Sequence, residues 1–451
     1  MASAIRTHRF PNGFRVVYQK SEQSIPLTSI RVFCDVGSAY EQDGIRGASH
    51  FVEHMCFKGT ERIHRTRDLL LQYNQMGARL NASTDKRVTF YCIDCEDSFV
   101  EPSTHIVSDM LLHSTFPRKE FMKEQHVIIE ENIRKEDNHM NVLQDKMEAV
   151  FFKGSSYAYE IDHIRYHPTP TYLKEKDMFE WYKWFYQPSN MIWSIVTNIP
   201  FSTIVAMLKR SEMAKKVEGK QEQPRFALST PILTLSPISP VMDSIHINYI
   251  PKHGLSTTIL EVGFRTCSRD SPDKHKLNLL SMILNGFSGI LFTAFRTQQG
   301  LTYRTNCDTG YYEHTGYFSI FIQTDPQKMF HSGSNDGVLP TVINILMDLK
   351  QKGVDQDEVN IAKAKIKGSM LRDSESIVTI ATYNGYESIY NKDGTFVPYQ
   401  EQYSAHYQRI TKKQIDTVIQ KYFCRENMVV GIMQEKEFQK KKIHDICYRF
   451  H

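Results

Sequence analysis

His50-Phe51-Val52-Glu53-His54 is the stretch on which the reading of this chain turns. On a helix, positions i, i+3 and i+4 share a face, so His50, Glu53 and His54 project together. Two neutral imidazoles one turn apart can each present a nitrogen to a zinc ion at about 2.0–2.1 Å. A carboxylate beside them that is not needed as a ligand can take a proton from water. The pattern arises by chance in about one chain in twenty-five of this composition, so it requires context from elsewhere in the sequence. Without that context it reads as two polar residues and a salt bridge on a helix face.

A catalytic zinc needs a third protein ligand, brought in from another element, and one open position. The sequence predicts a long helix over about 119–152 that carries Glu124, Glu130 and Glu131. Glu124 and Glu131 are seven apart and share a face two turns long, whereas Glu130 points about 100° away. Spacing leaves all three open as the ligand, against the plain alternative of a solvated acidic face.

Outward from the motif, strands are expected at 14–18, 29–36 and 88–93, and helices at 48–55, 67–76 and 102–116. Blocks of strand and helix alternate without a strict βαβ succession, which predicts an α+β fold. Residues 214–240 combine the charged run AKKVEGKQE at 214–222 with prolines 224, 231, 237 and 240. Such a stretch reads as a linker. The expected division is a zinc-binding domain at 1–215, a linker at 216–240 and a second, similar domain at 241–451. The order of elements in 258–324 parallels that in 29–93. The second copy has no counterpart of the histidines, so the chemistry belongs to the first.

Composition narrows the class without naming a reaction. The 451 residues are 41% hydrophobic and 24% charged, with a net charge of +4. That excludes a disordered or collagen-like chain and is far from the concentrated basic surface of a nucleic-acid binder. Eight cysteines are too few for a disulfide framework, and Cys92 and Cys95 form the lone C-x-x-C pair. They sit on an expected strand and read as a reduced thiol pair. No run of about 18 apolar residues occurs, so no membrane span is expected. Residues 1–9 are basic, but turn and strand signals begin at Phe10, leaving too little for a presequence. The expected location is intracellular and cytoplasmic, or the mitochondrial matrix if a presequence has been removed.

The run HFVEHMCFKGT at 50–60, followed by LNAST at 80–84 and VIIEE at 127–131, resembles the M16 (pitrilysin, inverzincin) metallopeptidases. The nearest likeness is to the mitochondrial-processing-peptidase-like subfamily. It continues in WFYQPSNM at 184–191 and LFTAFRTQQGLTY at 291–303, and so spans nearly the whole chain. The resemblance implies two similar α+β domains, each a mostly antiparallel sheet flanked by helices. It implies one Zn2+ per chain on His50, His54 and Glu131, with Glu130 as the fallback ligand. Glu53 becomes the general base and Glu124 the carboxylate that holds a ligand histidine. Arg296 and Tyr303 match a family pair that reaches substrate and the developing oxyanion. Asn81 and Ala82 match the strand edge that binds an extended peptide. Phe51 would line the pocket after the scissile bond, or pack in the core. Of the two acids that read a basic substrate residue, one position is Asn141 and only Asp145 keeps its charge.

The function so implied is a zinc endopeptidase acting on peptides or unfolded segments. It would work as a homodimer or as a heterodimer with a second M16-type chain. The alternative is a non-catalytic subunit that binds peptide or scaffolds an active partner. No nucleic-acid partner is expected.

Overall fold

Strand β3 (Leu27–Cys34) shows how this sequence makes a sheet covered on both faces. Side chains alternate along a strand. Ile30, Val32 and Cys34 therefore enter one apolar cluster, while Phe33 enters another on the opposite face. Neighbouring β6 (Met191–Thr197) does the same, with Met191, Trp193 and Ile195 on the first face and Ile192 and Val196 on the second. Strands buried on both sides tend to read as near-continuous apolar runs; β6, MIWSIVT, does so, whereas β3 admits a buried Arg31 that pairs with Asp94 at 2.9 Å. The computed structural model describes residues 4–161, 173–215, 244–297, 300–332 and 335–451. The expected linker at 216–240 lies outside them.

The chain forms two α+β units. In the first, β1 (Arg6–Arg9), β2 (Arg15–Lys20), β3, β4 (Arg79–Thr84), β5 (Thr89–Glu96) and β6 make one sheet in the order β1-β2-β6-β3-β5-β4. Only β2 and β6 are parallel. Helices Ala48–Met55, Val100–Leu112 and Glu175–Phe185 bury their apolar stripes on the first face.

In the second unit, β7 (His246–Pro251), β8 (Thr258–Thr266), β9 (Thr302–Tyr311), β10 (Gly316–Thr324) and β11 (Met428–Gln434) take the order β7-β11-β8-β10-β9. Here too a single pair, β7 with β11, is parallel. Strands β2 to β6 and β7 to β11 therefore follow one topology twice. Both sheets are mostly antiparallel.

Chain order alone does not give the units. The first includes residues 370–402, and the second includes 135–158. Helix Ile377–Tyr390 covers the second face of the first sheet, packing Ile377, Ile380, Ala381 and Ile389 around Val196, Phe33 and Ile192. Gly385 is what lets it settle there, since a Cβ would stand 1.9 Å from the Phe33 ring. Helix His139–Phe151 covers the corresponding face of the second sheet, where Gly263 and Gly431 leave room for Phe151 and Met147.

The long helix expected over 119–152 is two helices, Arg118–Glu136 and His139–Phe151. The second starts afresh because the Asn138 side chain accepts the Asn141 N–H as an N-cap, and its apolar face belongs to the other unit. Among the described residues no helix is long and apolar enough to cross a membrane.

Candidate metal centre and active site

Helix Ala48–Met55 has no Ser, Thr, Asp or Asn at its N-cap; Gly47 holds that position at φ 90°. Its first N–H groups are satisfied from a distance instead. Glu41, 1% exposed, accepts the Gly47 N–H at Oε2 and the Ser49 N–H at Oε1, each at 2.7 Å. Burial pushes the Glu41 carboxyl up to about 7, against the opposing pull of those two backbone bonds and Arg46. One buried acid thus fixes the start of the helix that bears the histidines.

Ala48, Phe51, Val52 and Met55 are fully buried, which commits that stripe to the core. Phe51 is fully buried, and its ring packs on Phe121 with centroids 4.7 Å apart. The helical period that turns His50, Glu53 and His54 outward turns Phe51 inward, in line with the core-packing alternative of its two expected roles.

Helix Arg118–Glu136 supplies the opposing side. It buries Phe121, Glu124, Gln125 and Ile128, and leaves Glu130 exposed. His50 Nε2 and His54 Nε2 stand 3.2 Å apart, and Glu131 Oε2 lies 3.8 and 3.6 Å from them. Ligand atoms held about 2.0–2.2 Å from a tetrahedral ion sit about 3.3–3.6 Å from one another, so this triangle has the dimensions of a zinc site. Two imidazoles and a carboxylate are also the donor set that zinc accepts.

The histidine orientation has a support of its own. His54 Nδ1–H donates to Glu124 Oε2 at 2.9 Å, leaving the Nε2 lone pair for a metal. Lys58 Nζ holds the other Glu124 oxygen at 2.6 Å. Burial raises the Glu124 pKa, but the bonds and charges of His54 and Lys58 outweigh it and hold that carboxyl below its usual range. Glu53, 8% exposed, accepts a hydrogen bond from Thr84 Oγ1 at 2.6 Å.

Thr84 ends β4, the outermost strand of its sheet, which pairs with β5 in the register Asn81↔Cys92 and Ala82↔Tyr91. Asn81 and Ser83 are exposed there, and Ala82 is half-buried. The first unit therefore brings His50, Glu53, His54, Glu124 and Glu131 together, with an open strand edge tied to them. Asp145, Arg296 and Tyr303 belong to the second unit. Asp145 is half-buried on helix His139–Phe151. Tyr303 is 67% exposed on β9, an outermost strand. Arg296 lies in the turn Thr293–Thr297, its side chain outside the described residues.

Sequence reasoning overlooked Lys58, Thr84 and Glu41. The first two stand inside the runs HFVEHMCFKGT and LNAST, where a charged and a hydroxylated residue near a metal motif were available signals. Glu41 gave none, because its role depends on the fold of the loop before the helix.

Residues 15–163 match the family model described as insulinase (peptidase family M16), and residues 172–366 match that of the peptidase M16 inactive domain. An uncharacterized zinc protease of Bacillus subtilis, YmxG, is 26% identical over 384 residues, covering 84% of this chain and 87% of that protein. The mitochondrial-processing peptidase subunit beta of Caenorhabditis elegans is 41% identical over 152 residues, which is 34% of this chain and 32% of that protein. The crystal structure of a Helicobacter pylori protease superposes with a TM-score of 0.82 at 19% identity, over 96% of this chain and all of that one. The first half of the Escherichia coli periplasmic protease PqqL gives 0.73 at 17% identity, over all of this chain and 97% of that one.

Proposed function

The chain belongs to the M16 family of metallopeptidases, and we propose that it is a zinc-dependent endopeptidase hydrolysing peptides or unfolded polypeptide segments. The observation that carries this reading is the convergence of His50 Nε2, His54 Nε2 and Glu131 Oε2 within 3.8 Å, with Glu53 on the same helix. These residues would hold one zinc ion. A zinc bound there would supply acidification of its water, towards a pKa of about 7, and polarisation of the scissile carbonyl.

The chain's own groups do the rest. Glu53 accepts a proton from the attacking water and returns it to the leaving amine. The open edge of β4 takes an extended peptide as an added strand, with Asn81 and the small Ala82 allowing close backbone approach. Arg296 and Tyr303 stabilise the developing oxyanion. Asp145 keeps an acid that would recognise a basic substrate residue, and the neutral Asn141 weakens any preference for arginine.

A second M16-type chain, identical or different, is the partner, and Arg296 and Tyr303 then serve that partner's site. All eight cysteines are free thiols, which favours a reducing, cytoplasmic setting.

Glu53→Gln is expected to keep near-stoichiometric zinc and lose cleavage of a quenched peptide; an undiminished rate would sink the assignment. A metal-replete preparation without zinc would favour the non-catalytic scaffold instead.

A further inference from the structure

Thr84 Oγ1 donates to Glu53 Oε2 at 2.6 Å, within the range of a charge-assisted O–H···O⁻ bond. Among the described residues its hydroxyl has one other hydrogen-bonding neighbour, Thr89 Oγ1 at 3.3 Å, directly opposite it in the β4–β5 register. Thr89 is fully buried and commits its own proton to the Val36 carbonyl at 3.0 Å. Thr89 therefore has no proton for Thr84, and the Thr84 proton goes to the nearer acceptor, the carboxylate. Leu80, Ala82 and Thr84 share the half-buried face of β4, whereas Asn81 and Ser83 are exposed. The outermost strand, on which the proposed function docks the peptide, is thus also the strand that grips Glu53.

We propose that Thr84 is the positioning residue of Glu53, leaving Oε1 as the oxygen that carries the proton. The inference rests on the peptidase reading and deepens it. With Oε2 engaged, one water proton moves to Glu53 Oε1 as the water oxygen bonds to the scissile carbonyl carbon. The same proton then passes from Oε1 to the amine nitrogen as the C–N bond breaks. Thr84 keeps its own proton throughout. Because base and peptide are fixed to one strand, the register of the docked peptide also sets the distance from its scissile carbonyl to Oε1.

The test compares Thr84→Val and Thr84→Ser with Glu53→Gln, reading kcat and KM on a quenched peptide together with zinc content and melting temperature. Removing an outer partner of a catalytic group costs about 10–100-fold. The expected result is that loss in kcat for Thr84→Val, with KM within about twofold, zinc unchanged and Thr84→Ser close to wild type. Wild-type kcat in Thr84→Val, with Glu53→Gln inactive, overturns the role of Thr84 and leaves the peptidase reading intact. Equal losses in the Val and Ser variants, with zinc and melting temperature preserved, also overturn it, since the hydroxyl would then not be the cause. An active Glu53→Gln removes the peptidase reading itself. Should Thr84→Val fold poorly, Thr84→Ala takes its place under the same criteria.

Discussion

His54 Nδ1 donates to Glu124 Oε2 across 2.9 Å, and that bond decides which ring nitrogen is left to face a metal. A carboxylate can only accept, so the imidazole must place its proton there and its lone pair at Nε2. Glu124→Ala frees the ring to turn and to change tautomer. Zinc affinity is expected to fall about 10–100-fold, measured by competition with a chromophoric chelator. Affinity equal to wild type would show that the bond is dispensable.

Lys58 carries a separate prediction. Its side chain is 18% exposed, and its ammonium lies 2.6 Å from Glu124, whose side chain is 6% exposed. Lys58→Met leaves a buried carboxylate with one partner fewer, which costs about 1–3 kcal/mol in the metal-free protein. Urea unfolding of the apo chain measures it, and a midpoint unchanged from wild type would contradict the pairing.

Glu41 gives a pH dependence whose sign follows from burial. Its carboxyl is pushed up to about 7 in the folded chain, from an ordinary value of 4.5. Between those two values the folded state holds more protons than the unfolded state, so stability falls as pH rises. Over that window wild type should lose on the order of 3 kcal/mol relative to Glu41→Gln, and the difference should level off above about 7. Paired denaturant titrations of the two metal-free proteins from pH 4.5 to 8 give the slope; a flat difference refutes it.

Gly385→Ala tests the helix seated on the back of the first sheet. Alanine improves helix propensity by about 1 kcal/mol. Its Cβ, however, would stand 1.9 Å from Phe33, a ring packed between Phe90 and Tyr386. Overpacking of this kind costs about 1–3 kcal/mol and should win. Differential unfolding should show a lower midpoint, and Phe33→Leu in the same chain should recover part of it.

Much of the site was legible because helical geometry is local. The motif helix spans 48–55, as its apolar spacing predicts, and the seven-residue interval puts Glu124 and Glu131 on the side of helix Arg118–Glu136 that meets the histidines. The break at 137–138 falls in the polar run RKEDNH at 134–139, a run that a solvated helix face also allows, and only the sheets decide which stripe goes where. Phe51 shows the same limit: its neighbours in sequence mark the site, and its neighbour in space is Phe121. Thr84 reaches Glu53 across 31 positions, a separation that no local pattern encodes.

The crossed helices bear on how such a gene could be divided. A break at 216–240 would part the first sheet from helix Ile377–Tyr390 and leave Phe33, Ile192 and Val196 bare. The same break would part the second sheet from Phe151 and Met147, which lie against Gly263 and Gly431. Each half would carry the other's missing wall. Two fragments made apart would be sticky and incomplete, and only together could they rebuild what a single transcript now secures. Two units that exchange parts in this way cannot be separated by cutting at the join.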